Sequence, residues 1–305
     1  MNDLDKHILK IINEELNKKN SAYNIRKDGK SIERASLEHV RIESKKDKEG
    51  INIYVDDNTL EGYVHIPVLL TKSGLNDKVY NDFYIGENSN VVINAGCGIH
   101  NDKHKDSEHE GIHRFFVGKN SSVKYIEKHY GEGEGTGKRI LNPVTEVYLE
   151  EGSTLEMNTA QIKGVSSTVR KTKGVLKDNS KLVINEKIMT HDNQSAKTIF
   201  DVKLNGKNSS VKVTSRSVAI DNSNQEFVSN VVGNDDCFGH VECDAIIKDN
   251  AKVISSPKIE ANNINARLIH EATIGKIAGD QLIKLMTLGL SKKKAEETII
   301  NGFLK

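Results

Sequence analysis

The 305-residue sequence has no tryptophan, aromatic residues reach only 5%, and cysteines number three. So few aromatics, with 36% hydrophobic residues in all, are too little for an ordinary compact globule. They suit a solenoid, whose narrow interior is filled by Val, Ile, Leu and Ala. An odd and small number of cysteines excludes a disulfide framework and points to reduced thiols. Charge of one sign is also lacking: 44 Lys plus Arg face 43 Asp plus Glu. There is thus no electrostatic case for nucleic acid or an anionic membrane as partner. No apolar run approaches the length of a membrane span. The opening "MNDLDKHILKIINEELNKKN" has no signal-peptide apolar block. The expected location is cytoplasmic.

What is present is a repeat. A turn of Asn or Gly followed by a small residue, then alternating apolar residues, recurs in "GENSNVVIN", "GKNSSVKYIE", "EEGSTLEMN", "KDNSKLVINE", "GKNSSVKVTS" and "KDNAKVISS". The turn positions are 88, 120, 152, 179, 208 and 250, with gaps of 32, 32, 27, 29 and 42. Asn and Gly tolerate the left-handed backbone of a tight turn, and apolar residues at period two share one face. A unit of about 30 residues means stacked coils. Without helical patterns between the strands, and without the signatures of propeller blades, the fold expected is a mainly β parallel β-helix; an antiparallel sandwich is the alternative. Before the repeat, apolar positions Leu4, Ile8, Leu9, Ile11, Ile12 and Leu16 predict a helix over 3–19. "GINIYVDD" alternates as a short strand. After the repeat, "GDQLIKLMTLGL" predicts a helix with Asp280 as N-cap and Gly289 as its stop. "SKKKAEETIINGFLK" predicts a second helix capped by Ser291 and ending near Gly302, giving a C-terminal helical hairpin. The organisation expected is an N-terminal helical and mixed segment over 1–65, a β-helix core over 66–267 and a C-terminal helical region over 268–305.

Four stretches carry groups capable of chemistry. "GEGEGTGKR" (131–139) resembles a phosphate loop but fails its spacing: Glu132 stands where the first glycine belongs, and Arg139 replaces the hydroxyl residue. It reads as a mobile glycine-rich loop, and no nucleotide is expected on this chain. "GCGIHNDKHKDSEHEGIH" (96–113) holds Cys97, His100, His104, His109 and His113. It matches His-Glu-x-x-His at 109–113, but a central glycine and neighbouring strand signals argue against the helix that motif needs. A polar, solvated connection between coils is the reading favoured here. "DDCFGHVECD" (235–244) places Cys237, His240 and Cys243 three apart. On an unbroken strand His240 points away from both thiols, and the three converge only if the chain turns at Gly239. Three ligands also fall short of a closed zinc site, and Cys243 alone reads equally as a small buried residue. "LIHEATIGKI" (268–277) sets His270 and Glu271 at the junction with the terminal helices, as functional residues or as the end of the coil stack. No carboxylate constellation suggests a polysaccharide-cleaving β-helix enzyme.

The run "LIHEATIGKIAGDQLIKLMTLGLSKKKAEETIINGFL" (268–304) closely resembles the end of the SufB/SufD family, scaffold subunits of SUF iron–sulfur cluster assembly. "SRSVA" (215–219) and "GHVECDAII" (239–247) fit the same family, so the resemblance spans roughly residues 65–305. It implies a right-handed parallel β-helix followed by C-terminal helices. It also implies pairing through the β-helices, as a homodimer or with a SufB/SufD-like paralogue, and docking of the terminal helices on a SufC-like ABC ATPase. Sulfur would come from a separate cysteine desulfurase system. The positions matching the family's cluster-assembly residues are Cys243, His270 and Glu271, with Cys237, His240 and Cys97 as secondary candidates. The role implied is a scaffold for a transient iron–sulfur cluster with no catalytic turnover of its own. The alternative is a structural SufD-like adaptor that binds the ATPase and no cluster.

Overall fold

The computed structural model describes residues 1–13 and 18–305. Over half of the chain is strand, wound into a parallel β-solenoid of about eight turns. Each coil contributes one strand to each of two facing sheets. The first sheet runs through Ala22–Lys27, Gly62–Leu70, Asn90–His100, Ser122–Glu132 and Thr154–Lys163. It continues through Lys181–Thr190, Ser210–Ala219 and Phe238–Ile247 to Arg267–Gly275. The second includes Asn76–Ile85, Ser107–Val117, Ser167–Leu176, Ser195–Leu204, Asn224–Gly233 and Lys252–Ala261. Register is maintained over whole strands: Ser195–Leu204 lies beside Asn224–Gly233 residue for residue. Antiparallel pairs, Ala22–Lys27 with Lys30–Ala35 and Val40–Ser44 with Gly50–Val55, finish the N-terminal end. No helix among the described residues is long and apolar enough to cross a membrane.

The repeat has a local cause. Asn58, Asn88, Asn120, Asn179 and Asn208 adopt φ between 54° and 61°, and Gly152 occupies the same turn position at φ 70°. Five asparagines and one glycine thus take left-handed backbone at the corner leading into the first sheet. Asn208 Nδ2 donates to Asn179 Oδ1 at 3.1 Å, tying one corner to the next. The irregular gap of 42 arises because Asn250 belongs to the opposite corner, where Asp192, Asp221 and Asp249 hold the positive φ. Between corners, alternate residues fill the interior. The Phe83 and Phe115 rings stack there at 4.5 Å between centroids.

Three expectations change. The first helix, α1, is Asp3–Ile12, closed by Asn13, and the Leu16 position lies outside the described residues. Ile8 and Ile12 seat over Gly98 and Gly96, where added Cβ atoms would meet them at 2.1 and 2.9 Å. Helix α2, Gly279–Thr287, is preceded by Ala278 as N-cap, so Asp280 lies within the first turn instead of capping it. The loop at 133–138 is pinned to the turn beneath it rather than mobile. Gly135 N and Gly137 N donate to Asn101 O and Lys103 O at 3.1 and 2.9 Å. Cβ atoms at either glycine would fall within 2.3 Å of that turn's backbone, so glycine here permits close stacking. Helix α3, Lys292–Phe303, starts at Ser291, whose hydroxyl accepts from Lys294 N, and Gly289 precedes it at φ 95°.

The hairpin of α2 and α3 folds back along the outer face of the first sheet. Lys248 Nζ meets Glu296 at 2.7 Å, Lys187 reaches the Lys305 carbonyl, and the Arg216 guanidinium lies 6.0 Å from the Phe303 ring centroid. Lys187 and Arg216 stand on neighbouring strands, and Lys248 directly follows the next strand, Phe238–Ile247. The edges of the last coil, Lys252–Ala261 and Arg267–Gly275, pair on one side only.

Candidate functional site

Phe238–Ile247 is an unbroken strand and Cys237 ends the turn before it. The chain therefore does not fold back at Gly239, and Cys237, His240 and Cys243 do not converge. Six residues of extended chain separate the two thiols by about 20 Å. Cys237 is buried beside Gly233, where an added Cβ would lie 2.9 Å from its sulfur. Cys97 lies five strands away along the first sheet, about 24 Å at ~4.8 Å per strand. It cannot share a ligand set with Cys243 inside one chain.

Cys243 and His270 stand on neighbouring strands of the first sheet. Arg267–Gly275 pairs in parallel with Phe238–Ile247, with Val241 opposite His270 and Cys243 opposite Ala272. Val241, Cys243 and Ala245 face inward, and register puts His270 on that same face, one strand over and two residues back. The His270 ring is half-buried, yet both its nitrogens are shielded from solvent and without a hydrogen-bond partner. In the neutral ring one of these nitrogens is an N–H donor and the other carries the lone pair that can ligate. Burial and the neighbouring His240 hold the ring's pKa below the usual histidine value, favouring the neutral, ligating form. Cys243 is 2% exposed, and burial above all pushes its thiol up to about 11. Ser255 on the opposite sheet pulls the other way, though its hydroxyl lacks a hydrogen-bond partner.

Glu271 points outward, exposed, on the face that carries His240 and Glu242. His240 Nε2 stands 3.6 Å from Glu271 Oε2, outside hydrogen-bond reach, and is likewise buried and unpartnered. Cys243 with His270 and His240 with Glu271 thus form two pairs on opposite faces of the final coils. Thiolate, imidazole and carboxylate suit iron in different degrees: thiolate holds a cluster firmly, carboxylate labilely.

The 96–113 stretch is not a solvated connection. Cys97, His109 and His113 are buried inside the solenoid on the strands Asn90–His100 and Ser107–Val117, while His104 is exposed. "HEGIH" is strand, so His109 and His113 share the inward face. They belong to a polar interior that motif searching overlooked. Arg26 pairs with Asp77 at 2.7 Å, and His109 Nδ1 lies 3.0 Å from the same carboxylate. Further along, Arg170 bridges Glu127 and Glu186. Arg170 and two histidines keep Glu127 well below the usual carboxylate range against its burial. For Glu186 burial wins and its pKa rises, with Thr198 and Ser215 hydroxyls donating to it. The signal was in the alternation: Val123, Tyr125, Glu127 and His129 occupy one period-two series, so the charges fall in phase with the apolar residues.

Comparison with known proteins agrees with this architecture. The family model described as "SUF system FeS cluster assembly, SufBD core domain" matches residues 82–303. An iron–sulfur cluster assembly SufBD family protein of Pyrococcus horikoshii is 30% identical over 274 residues, covering 88% of this chain and 82% of that protein. One from Methanocaldococcus jannaschii is 28% identical over 243 residues, 79% of this chain and 76% of that protein. One from Archaeoglobus fulgidus is 27% identical over 266 residues, 85% of this chain and 70% of that protein. With the solenoid, its terminal helices and the matched core in agreement, the chain belongs to the SufBD family of the SUF iron–sulfur cluster assembly system.

Proposed function

We propose that this chain is a cytoplasmic, non-catalytic scaffold that holds a transient iron–sulfur cluster at the open end of its solenoid, where a second solenoid meets it. The observation that carries this reading is the His270 imidazole, both nitrogens buried and unpartnered, beside Cys243 under an uncovered coil edge. The cluster is cargo. Cys243 supplies a thiolate, His270 a neutral nitrogen and Glu271, at the rim with His240, a labile oxygen. Cys237 and Cys97 are too far along the chain and the solenoid axis to join them within one protomer. One thiolate per protomer leaves ligation incomplete, which suits a scaffold that must release what it builds. Residues 268–305 dock a SufC-like ABC ATPase: α2 buries no residue and exposes Ile283 and Met286. ATP is bound by that partner, and sulfur arrives from a cysteine desulfurase system.

A SufD-like adaptor role is the competing reading, favoured by the burial of Cys243 and its raised pKa, which describe an inert thiol. The two differ in one measurement. The chain is co-expressed anaerobically with a SufC-like ATPase, and iron and acid-labile sulfide are counted per protomer. Under the scaffold reading Cys243→Ser lowers both at least fivefold and His270→Ala lowers them partially. Unchanged stoichiometry in Cys243→Ser leaves the adaptor.

A further inference from the structure

At the N-terminal end, far from the last coil, a cavity of about 160 Å³ lies between the two sheets. Four cations line it, Arg26, Arg34, Lys45 and Lys48, against one carboxylate, Glu49. Arg26 and Arg34 stand on Ala22–Lys27 and Lys30–Ala35 of the first sheet. Lys45 and Lys48 belong to the link between Val40–Ser44 and Gly50–Val55 of the second. Buried carboxylates engage two of the four: Asp77 meets Arg26 at 2.7 Å and Asp82 meets Lys45 at 2.6 Å. The other two are not matched in this way. Arg34 Nε donates to Asn24 Oδ1 at 2.9 Å and Nη1 to Ser44 Oγ at 2.8 Å, while Nη2 reaches Ser31 Oγ only at 3.5 Å. All three acceptors are neutral, and burial holds the Arg34 pKa below the usual arginine value with no carboxylate to offset it. Lys48 Nζ lies 4.6 Å from the Tyr80 ring centroid and 3.6 Å from the exposed Asp47 carboxylate, beyond hydrogen-bond reach. Glu49 is itself largely exposed and touches Arg26 Nη1 only at 3.4 Å, so it is free to turn outward into water.

We propose that this cavity binds a small tetrahedral oxyanion, a free phosphate or the phosphate group of a small ester, between the two N-terminal antiparallel pairs. Guanidinium and ammonium groups are the donors that phosphate oxygens take. The two charges of the ligand answer Arg34 and Lys48, the cations that buried carboxylates leave unmatched, and Arg26 Nη1 is a third donor once Glu49 turns away. The size fits. About 160 Å³ is several times the ~30 Å³ that one water occupies in the liquid, yet well short of the ~300 Å³ at which sites for larger organic molecules begin. Ile66 and Val79, both buried, line the same cavity and keep bulk water from its inner side. A bound oxyanion adds to the Arg34–Ser44 hydrogen bond that already joins the first-sheet pair to the second-sheet pair.

None of these residues lies on the final coils, so the site stands apart from the cluster scaffold reading. The full-length chain is dialysed into a phosphate-free chloride buffer. It is then titrated calorimetrically with inorganic phosphate and with glycerol 3-phosphate at matched ionic strength, which removes general screening from the comparison. The expected result is one saturable site per chain, and the tighter of the two ligands tells whether the free anion or an ester is the natural form. Arg34→Gln and Lys48→Gln each lower phosphate affinity at least about fivefold, because each removes a charge-assisted donor. Lys48→Gln disturbs no hydrogen bond of the apo chain, and far-UV circular dichroism reports that both variants keep the fold. Glu49→Gln removes the carboxylate that competes for Arg26 and raises the affinity. Lys212→Gln, exposed and six strands along the first sheet from Ala22–Lys27, leaves it unchanged. Absence of saturable binding of either ligand, a loss below fivefold in either folded variant, a Glu49→Gln affinity no higher than the parent's, or an equal loss in Lys212→Gln overturns the proposal.

Discussion

His65 lies on Gly62–Leu70 with its side chain 2% exposed and Nδ1 2.8 Å from Asn13 Oδ1, joining the end of α1 to the first sheet. Burial holds its pKa down to about 4, against an ordinary 6.5. Between those values the unfolded chain binds a proton that the folded chain refuses. Stability is therefore complete above pH ~6.5 and falls as the pH drops toward 4. At pH 5 the loss from this one ring is about 2 kcal/mol, at 1.36 kcal/mol per pKa unit. Urea titrations at pH 7.5 and pH 5 measure it. His65→Gln, which keeps an amide to pair with Asn13, flattens the difference by that amount. Equal pH dependence in the two proteins would mean that His65 is not the group responsible. The same arithmetic separates this histidine from Glu127, whose depressed pKa contributes stability above the carboxylate range and loses it only in stronger acid.

At the level of the element, the corner turns decide the fold. Asn179 sits at φ 56°, a conformation that costs an alanine roughly 1–2 kcal/mol and a glycine almost nothing. Gly152 already occupies the equivalent corner. Asn179→Ala and Asn179→Gly both lose the bond from Asn208, so their difference isolates the backbone. The alanine variant is expected to be less stable than the glycine variant by about 1 kcal/mol in chemical denaturation; equal midpoints would contradict it. These corners are also why the coils were legible in the sequence: a left-handed residue must be Asn, Gly or Asp, and period-two apolar runs follow it. The second line of corners was less visible because Asp192, Asp221 and Asp249 carry it, and aspartate is common everywhere on a charged surface. Strand phase put Cys243 and His240 on opposite faces, and the structure turns the Cys243 face inward. The meeting of Cys243 with His270 was not legible from spacing, because it depends on register between coils, which loop lengths set without any local residue signal. The family resemblance supplied that pair instead. The inward charges at Glu127, Arg170 and Glu186 went unread because each looks like an ordinary solvated residue until its phase is compared with its neighbours.

For the whole molecule the two ends of the solenoid are unlike. The N-terminal end is finished by antiparallel pairs, whereas the C-terminal end stops at Lys252–Ala261 and Arg267–Gly275 with the helices laid along a side face. The final coil is solvent-exposed along most of both strands, and it presents Ile254 at 57%, Ile269 at 43% and Ile274 at 38% exposure. Unpaired strand edges with exposed isoleucines join to other strands unless blocked; Pro257 removes one backbone donor from the Lys252–Ala261 edge, and the Arg267–Gly275 edge carries no proline. Joining two such ends about a twofold axis would pair the open edges, bury the isoleucines and bring the two Cys243–His270 pairs toward one another. The expected species is therefore a dimer whose mass depends on these side chains. In sedimentation experiments Ile254→Lys with Ile269→Lys shifts the chain to monomer, because it places like charges across the axis. Far-UV circular dichroism stays unchanged, because both side chains are already solvated in the single solenoid. Cys243→Ser leaves the dimer intact while reducing cluster uptake, which separates assembly from ligation. A parent chain that sediments as a monomer at every concentration, or a double variant that keeps the dimer mass, would show that the open end is not the meeting surface.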